Sequence, residues 1–396
     1  MIEKVKKLFK EKFNNNQPLI YFSPGRVNII GEHIDYNGGR VLPMAISLGI
    51  YGAVSFNNSP FVKVYSDSFH ETLEFNHNSF EKDNSFLKYI KGIIYILRKH
   101  QYIKEISGFD LLLFSTLPPS SGLSSSAALE LLIIKILNDR YQLHLDDLMM
   151  IKLAQETERD YVGVNCGIMD QFAIGMGKKD YAIYLDTNED EFGKYLYKYI
   201  HFKITDATFV IINTNKPRNL IDSKYNKRRW ECEKGLEIFK TVINKNTLCD
   251  YTLEELENNK CIFDDIIYHR LKHVISENER VKQALIAMET GNIEKLGSLL
   301  NQSHQSLKED YDVTGLHLDT IWKELITCPM VLGARMTGAG FGGCLIALFK
   351  GKNRLEINEI LNNINTKYLQ ITGINLDYYY AKSSDKTMRL EEDDYE

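Results

Sequence analysis

Apolar positions divide the chain into strand-like and helix-like segments. Residues 2 to 13 carry apolar side chains at helical spacing, and Leu19–Phe22 and Val27–Ile30 read as strands. Val41–Met44 leads into a strand at Ile50–Phe56, and Val62–Tyr65 alternates as a half-buried strand does. Phe86, Tyr89, Ile90, Ile93, Ile94 and Leu97 return to helical spacing, and Phe109–Thr116 is again a strand. Pro118 and Pro119 stop that strand, and the next helix, about Ser125 to Asn138, is apolar nearly all round and therefore predicted to be buried. A helix from Leu148 to about Val162, a strand pair at Tyr181–Asp186 and Tyr195–Phe202, and a buried strand at Thr208–Asn215 follow. Beyond that point helices dominate, at about 218–243, 252–258, 278–290, 293–309 and 317–326. A strand at Cys344–Phe349, a helix near 354–368 and a strand at Tyr378–Ala381 close the chain. The pattern predicts an α+β protein of two domains, residues 1–205 and 206–396, with mixed β-sheets and packed helices.

The length of 396 residues agrees with two domains. A net charge of −5 leaves no basic excess to neutralise phosphates, which argues against nucleic acid as a partner. The six cysteines form no C-x-x-C pair and match no zinc module, so a reduced cytoplasmic setting is expected. The N-terminal segment has no long apolar run of a signal peptide, and no run approaches a membrane span, so no membrane partner is expected.

Three stretches carry chemistry. Pro24 to Gly39 crowds Arg26, Glu32, His33 and Asp35 among Val27, Ile29, Ile30 and Ile34, with glycines at Gly25, Gly31, Gly38 and Gly39 that allow side chains to converge on something small. Ser120 to Ser126 opens the buried helix with a hydroxyl-rich loop. Its serines either cap the helix or leave free N–H groups that attract an anion such as phosphate. Gly338, Gly340 and Gly343 satisfy G-x-G-x-x-G, but a strand follows them where a dinucleotide fold needs a helix. No G-x-x-x-x-G-K-[ST] loop occurs. Asp170 lies among small and apolar residues and reads either as a helix cap or as a functional carboxylate.

Together these stretches resemble the motifs of the GHMP small-molecule kinases. Gly25 to Gly39 is similar to that family's galactokinase signature, residues 117–128 to its ATP-phosphate motif, and residues 335–343 to its third motif. The resemblance runs in order over nearly the whole chain. It implies the two-domain GHMP kinase fold with the active site in the cleft between domains. The implied reaction is ATP-dependent phosphorylation of the anomeric hydroxyl of α-D-galactose, with Mg²⁺ as cofactor and galactose and ATP as the small-molecule partners. It also implies roles residue by residue. Asp170 and Arg26 would be catalytic. Glu32, His33, Asp35, Gly167 and Tyr225 would bind the sugar, Glu32 and His33 toward C6 and Asp35 toward the 3- and 4-hydroxyls. Ser121, Gly122, Leu123, Ser124, Ser125, Ser126, Ala127, Phe86, Gly338 and Gly340 would hold ATP, and Ser126 and Glu158 the metal. Three positions depart from the family pattern: Ser120 replaces a usual Gly, Phe86 a usual Trp, and Leu316-His317 a usual Pro-Glu. The alternatives are a kinase for a related sugar such as N-acetylgalactosamine, or a non-catalytic galactose and ATP sensor. A monomer and a dimer both remain open.

Overall fold

The computed structural model describes residues 1–15, 17–81, 85–119, 121–202, 206–217 and 221–391. Ser120 and the expected domain boundary at residue 205 lie outside the described residues.

The N-terminal half is built on one large sheet. Its strands are β1 (Leu19–Asn28), β3 (Pro43–Phe56), β4 (Phe61–Ser66), β5 (Glu71–Asn76), β6 (Phe109–Ser115) and β13 (Met388–Arg389), in the order β13-β1-β3-β6-β4-β5. All neighbours are antiparallel except β4 and β6. The two short strands expected at Leu19–Phe22 and Val27–Ile30 are one strand, which shifts register against β3 between Pro24 and Gly25. That irregularity bends the strand just before Arg26. Helix α1 (Ile2–Phe13) covers one side of the sheet, where Ile2, Val5 and Phe9 pack among Ile20, Phe22, Leu112 and Phe114. The other side carries α2 (Leu87–Lys99), α3 (Ser125–Tyr141), α4 (Asp147–Glu156) and α5 (Met169–Gly175). Helix α3 packs against β1, β3, α2, α4 and α5, and burial on all sides explains its all-round apolar sequence.

A second sheet joins β2 (Arg40–Val41), β7 (Tyr181–Glu189) and β8 (Tyr195–His201). The C-terminal half holds the third, ordered β10-β11-β9-β12, from β9 (Ala207–Asn213), β10 (Val331–Thr337), β11 (Cys344–Lys350) and β12 (Asp377–Tyr379). Around it pack α6 (Ile221–Lys240), α7 (Leu253–Asn258), α8 (Asp265–Glu289), α9 (Ile293–Glu309), α10 (Gly315–Thr327) and α11 (Arg354–Thr372). A contiguous apolar core includes residues from both halves, from Tyr21 to Leu376.

Four expectations need correction. The helix expected over Leu148–Val162 is α4 followed by a π-helical turn, Thr157–Val162, which stops at Gly163 in a left-handed conformation. Such widened turns re-aim side chains, here Glu158. Helix α8 begins at Asp265, far ahead of the expected residue 278, because the Asp264 carboxylate caps it by accepting from the Ile267 N–H. Strands β5 and β13 were not anticipated. β5 is an edge strand with a largely exposed, polar pattern, and β13 is only Met388–Arg389. Finally, no serine side chain caps α3. Ser124 takes the cap position with left-handed backbone (φ 61°), and its hydroxyl is turned elsewhere. No helix among the described residues is long and apolar enough to cross a membrane.

Candidate active site

The bend in β1 delivers Arg26 to the junction of three segments. Its Nε and Nη2 donate to the two oxygens of Asp170 at 2.8 and 3.0 Å, and its Nη1 donates to the Gly122 carbonyl at 2.7 Å. Its backbone N–H reaches the Leu123 carbonyl at 3.2 Å. Arg26 is only 3% exposed, so this fork works with little competition from water. The Ser124 hydroxyl also donates to Asp170, so the cap expected of that serine is replaced by a bond to the carboxylate. Asp170 sits in the first turn of α5, whose N-terminus has no side-chain cap bond. The structure thereby decides between the two readings of Asp170: it pairs with the arginine and does not cap the helix.

Beside this pair lies a cleft of about 250 Å³, lined by Arg26, Glu32, His33, Asp35, Tyr36, Glu158, Gly167, Asp170 and Tyr225, with Ser121, Gly122, Ser124, Ser125, Ser126 and Gly338–Ala339 on the side of the serine loop. Asp35 presses on Gly167 so closely that a Cβ there would stand 1.8 Å from its Oδ2, which only glycine permits. Burial pushes the Asp35 carboxyl up to about 7, helped by the charges of Asp170 and Glu32. Glu32 is 1% exposed and holds the two halves together. It accepts from Asn28 Nδ2 and from the Gly338 N–H, and pairs with Arg335 Nη2 at 2.9 Å. Arg335, fully buried, also donates to the carbonyls of Asn28 and Ile29 at 2.8 and 2.9 Å. Gly338 has φ 89°, and a Cβ there would meet the Gly122 carbonyl at 2.6 Å, so the second and third motifs touch through glycine backbone. His33 stands in the left-handed region (φ 62°), uncommon for a side chain other than glycine and here held by its surroundings.

Ser126 and Glu158 meet at the start of α3. The Ser126 hydroxyl donates to Glu158 Oε1 at 2.9 Å, and Gln171 Nε2 donates to Oε2 at 2.7 Å. Burial, then the charge of Asp170, raises Glu158 to about 7. One turn along α3, Glu130 is fully buried, and both its carboxyl oxygens and Gln171 Oε1 have no hydrogen-bond partner. Burial holds Glu130 well above the usual carboxylate range. A hydroxyl and a carboxylate oxygen in this acid-rich corner fit Mg²⁺, which takes few protein oxygens and shares the rest with phosphates and water. No group of three or more His, Cys, Asp or Glu among the described residues could hold a metal by itself.

Most expected site residues therefore converge. Four do not line the cleft. Leu123 and Ala127 are buried beneath the serine loop, Gly340 lies against the Val313 carbonyl, and Phe86 stacks on Phe69 at 5.6 Å between ring centroids. The sequence reading missed Arg335 and Asn28 as supports of Glu32, Gln171 as the support of Glu158, and Tyr36 and Ala339 as cleft residues. Arg335 and Ala339 lie inside the third motif and Gln171 adjoins Asp170, so motif membership was the available signal.

Comparison with known proteins agrees with this geometry. Residues 7–56 match the galactokinase galactose-binding signature, 88–178 the GHMP kinases N terminal domain, and 283–369 the GHMP kinases C terminal domain. The chain is 41% identical over 393 residues to a galactokinase of Clostridium acetobutylicum, covering 98% of each chain. It is 43% identical over 382 residues to a galactokinase of Clostridium perfringens, covering 95% of this chain and 96% of that one. The crystal structure of Lactococcus lactis galactokinase complexed with galactose superimposes with a TM-score of 0.92 at 39% identity, covering 98% of this chain and 100% of that one. A mevalonate kinase at 20% identity and a TM-score of 0.64 shares the fold. The chain belongs to the galactokinase family of GHMP kinases.

Proposed function

We propose that this protein transfers the γ-phosphoryl group of ATP to the anomeric hydroxyl of α-D-galactose, giving galactose 1-phosphate and ADP. The observation that carries the reading is the Arg26–Asp170 fork, placed where the sugar signature meets the serine loop. Asp35, His33, Glu32, Gly167 and Tyr225 bind the sugar, since ionised carboxylates accept hydroxyl protons that a hexose offers in plenty. The serine loop and the uncapped start of α3 receive the phosphates. Ser126 and Glu158 hold Mg²⁺, which when bound neutralises charge on the transferring phosphates. In the reaction O1 of the sugar bonds to the γ-phosphorus, the bond to the β,γ-bridging oxygen breaks, and the O1 proton passes to Asp170. Arg26 stabilises the charge that develops between them. No disulfide joins any of the six cysteines, all of them among the described residues, as suits a reducing cytoplasm.

The test is ADP release over a panel of sugars, with Asp170→Asn beside the wild type. Galactose should be turned over and N-acetylgalactosamine and galacturonate should not. Asp170→Asn should lower kcat about 10²- to 10⁴-fold. Turnover that survives the substitution removes Asp170 from the mechanism, and sugar binding with no turnover at all would make the protein a sensor.

Asp35 adds a pH signature. With its carboxyl raised to about 7, kcat/KM for galactose at saturating ATP and Mg²⁺ should rise toward pH 7 and level above it. Bound metal takes Glu158 out of the profile, and Asp35→Asn should be low and flat. Stability runs the other way. Between the ordinary 3.8 of an unfolded aspartate and about 7, the folded protein binds the extra proton, so unfolding free energy falls as pH rises through that window. Asp35→Asn should consequently melt higher than wild type at pH 8.

A further inference from the structure

His33 is tied to the protein through both ring nitrogens. Nε2 lies 3.2 Å from the Ala339 carbonyl, and Nδ1 lies 2.8 Å from the Tyr36 hydroxyl. The Tyr36 hydroxyl lies 2.8 Å from that of Tyr311, which lies 3.1 Å from Cys232 Sγ. Each step could run in either direction until one end is fixed. The Ala339 end fixes it, because a carbonyl oxygen only accepts. Nε2 must carry hydrogen, and burial lowers His33 to about 3, so the ring is neutral and Nδ1 has a lone pair to fill. Tyr36 must then donate to Nδ1. Its oxygen is left to accept from Tyr311, and the Tyr311 oxygen to accept from the Cys232 thiol. Burial pushes that thiol up to about 12 and both phenols well above their ordinary values, so every member keeps the proton that the chain needs.

We infer that Tyr36, Tyr311 and Cys232 are positioning residues, which through the directed chain Cys232→Tyr311→Tyr36→His33 lock His33 as the neutral Nε2–H tautomer. The ring's one donor, Nε2–H, then faces the Ala339 carbonyl at the cleft wall, and the ring presents no acceptor. On the galactose reading, Asp35 accepts from hydroxyl protons, whereas a hydroxyl oxygen can accept from His33 only by sharing the Nε2–H with Ala339. The chain crosses the molecule, since Tyr36 comes from the signature, Cys232 from α6, and Tyr311 from the turn after α9. It therefore makes the polarity of a signature residue depend on the packing of the C-terminal half. Each bond also polarises the next, so a break at Cys232 should be felt at His33. The kinetic half of this inference rests on the galactose reading above, and the spectroscopic half does not.

The experiment is long-range ¹H–¹⁵N correlation on the ligand-free full chain, with the His33 signals identified by their loss in His33→Asn. Wild type should show a protonated Nε2 and a hydrogen-bonded, unprotonated Nδ1. Tyr36→Phe should shift Nδ1 to the position of a ring nitrogen with no donor. Cys232→Ala should shift it part of the way, and Cys232→Ser, whose hydroxyl can also donate, should restore it. In parallel, Tyr311→Phe, at a residue outside the cleft lining, should raise KM for galactose about three- to tenfold, the range of one net hydrogen bond, with kcat and KM for ATP little changed. A proton on Nδ1 in wild type overturns the inference, as does an Nδ1 signal indifferent to Tyr36→Phe. Equal losses toward both substrates with an unmoved spectrum would reduce the chain to ordinary core packing and overturn it too. The predicted spectra in a protein that turned over no galactose would leave the locked tautomer standing and remove the reaction assigned above.

Discussion

Arg26→Ala should cost about 10³-fold in kcat, as loss of a transition-state arginine does in other phosphoryl transfers. The residue holds three things at once: both oxygens of Asp170, the Gly122 carbonyl of the serine loop and, through its own N–H, the Leu123 carbonyl. Only the last survives truncation. The cleft that remains contains Asp35, Asp170 and Glu158, and Asp170 has lost its paired cation. Arg26→Lys restores charge without the planar fork, so it should recover at most about tenfold of the loss. The informative variant is the pair Arg26→Ala with Asp170→Ala. If the two side chains act as one unit, the double variant should be little worse than either single one, because the second substitution removes a partner already idle. Costs that multiply would mean that arginine and aspartate serve separate steps. The measurement is steady-state ADP release, with galactose binding by calorimetry to show that each variant still takes up the sugar.

Much of this site was legible before any coordinates. Arg26 and Asp35 stand in a motif crowded with charge, Asp170 was legible only as either a cap or a functional carboxylate, and the hydrophobic pattern placed α1 and α9 to the residue. What escaped was of two kinds. The edge strand β5 puts only Leu73 and Phe75 on the core, an apolar alternation too short to stand out among its polar residues. The supporting residues escaped because support is a tertiary relation. Nothing around Asn28 in sequence announces that its amide will hold Glu32, and Ser124 looks like a helix cap until the fold brings Asp170 alongside. Glu130 is the sharpest case. It occupies a helix that otherwise reads as pure core, and only the structure shows its carboxyl buried beside the Gln171–Glu158 pair. Local pattern reports what a residue is, whereas its partner is set by chain segments far away in sequence.

The largest effect on stability should come from Arg335→Met. Its guanidinium is fully buried, pairs with Glu32 and closes two carbonyls at the end of the β1 strand. Removing one member of a buried pair leaves the other charge without compensation, which typically costs about 3–5 kcal/mol. The loss should also reach the active site, because Glu32 accepts from the Gly338 N–H and so ties the third motif to the signature. Arg335→Met should therefore lower both the urea midpoint and kcat/KM. Trp322 is a built-in reporter, since its indole N–H donates to the carbonyl of Ala334, the residue next to Arg335, while Trp230 is 56% exposed. Adding Glu32→Gln should recover at least half of the lost stability, because a neutral amide needs no counter-charge and can still accept from Gly338 and donate to a carbonyl. It should not recover activity, since the cleft carboxylate proposed above to bind the sugar is gone. Stability and activity that returned together in the double variant would mean that Glu32 serves packing alone, and stability that failed to return would mean that Arg335 acts through the Asn28 and Ile29 carbonyls and not through the ion pair.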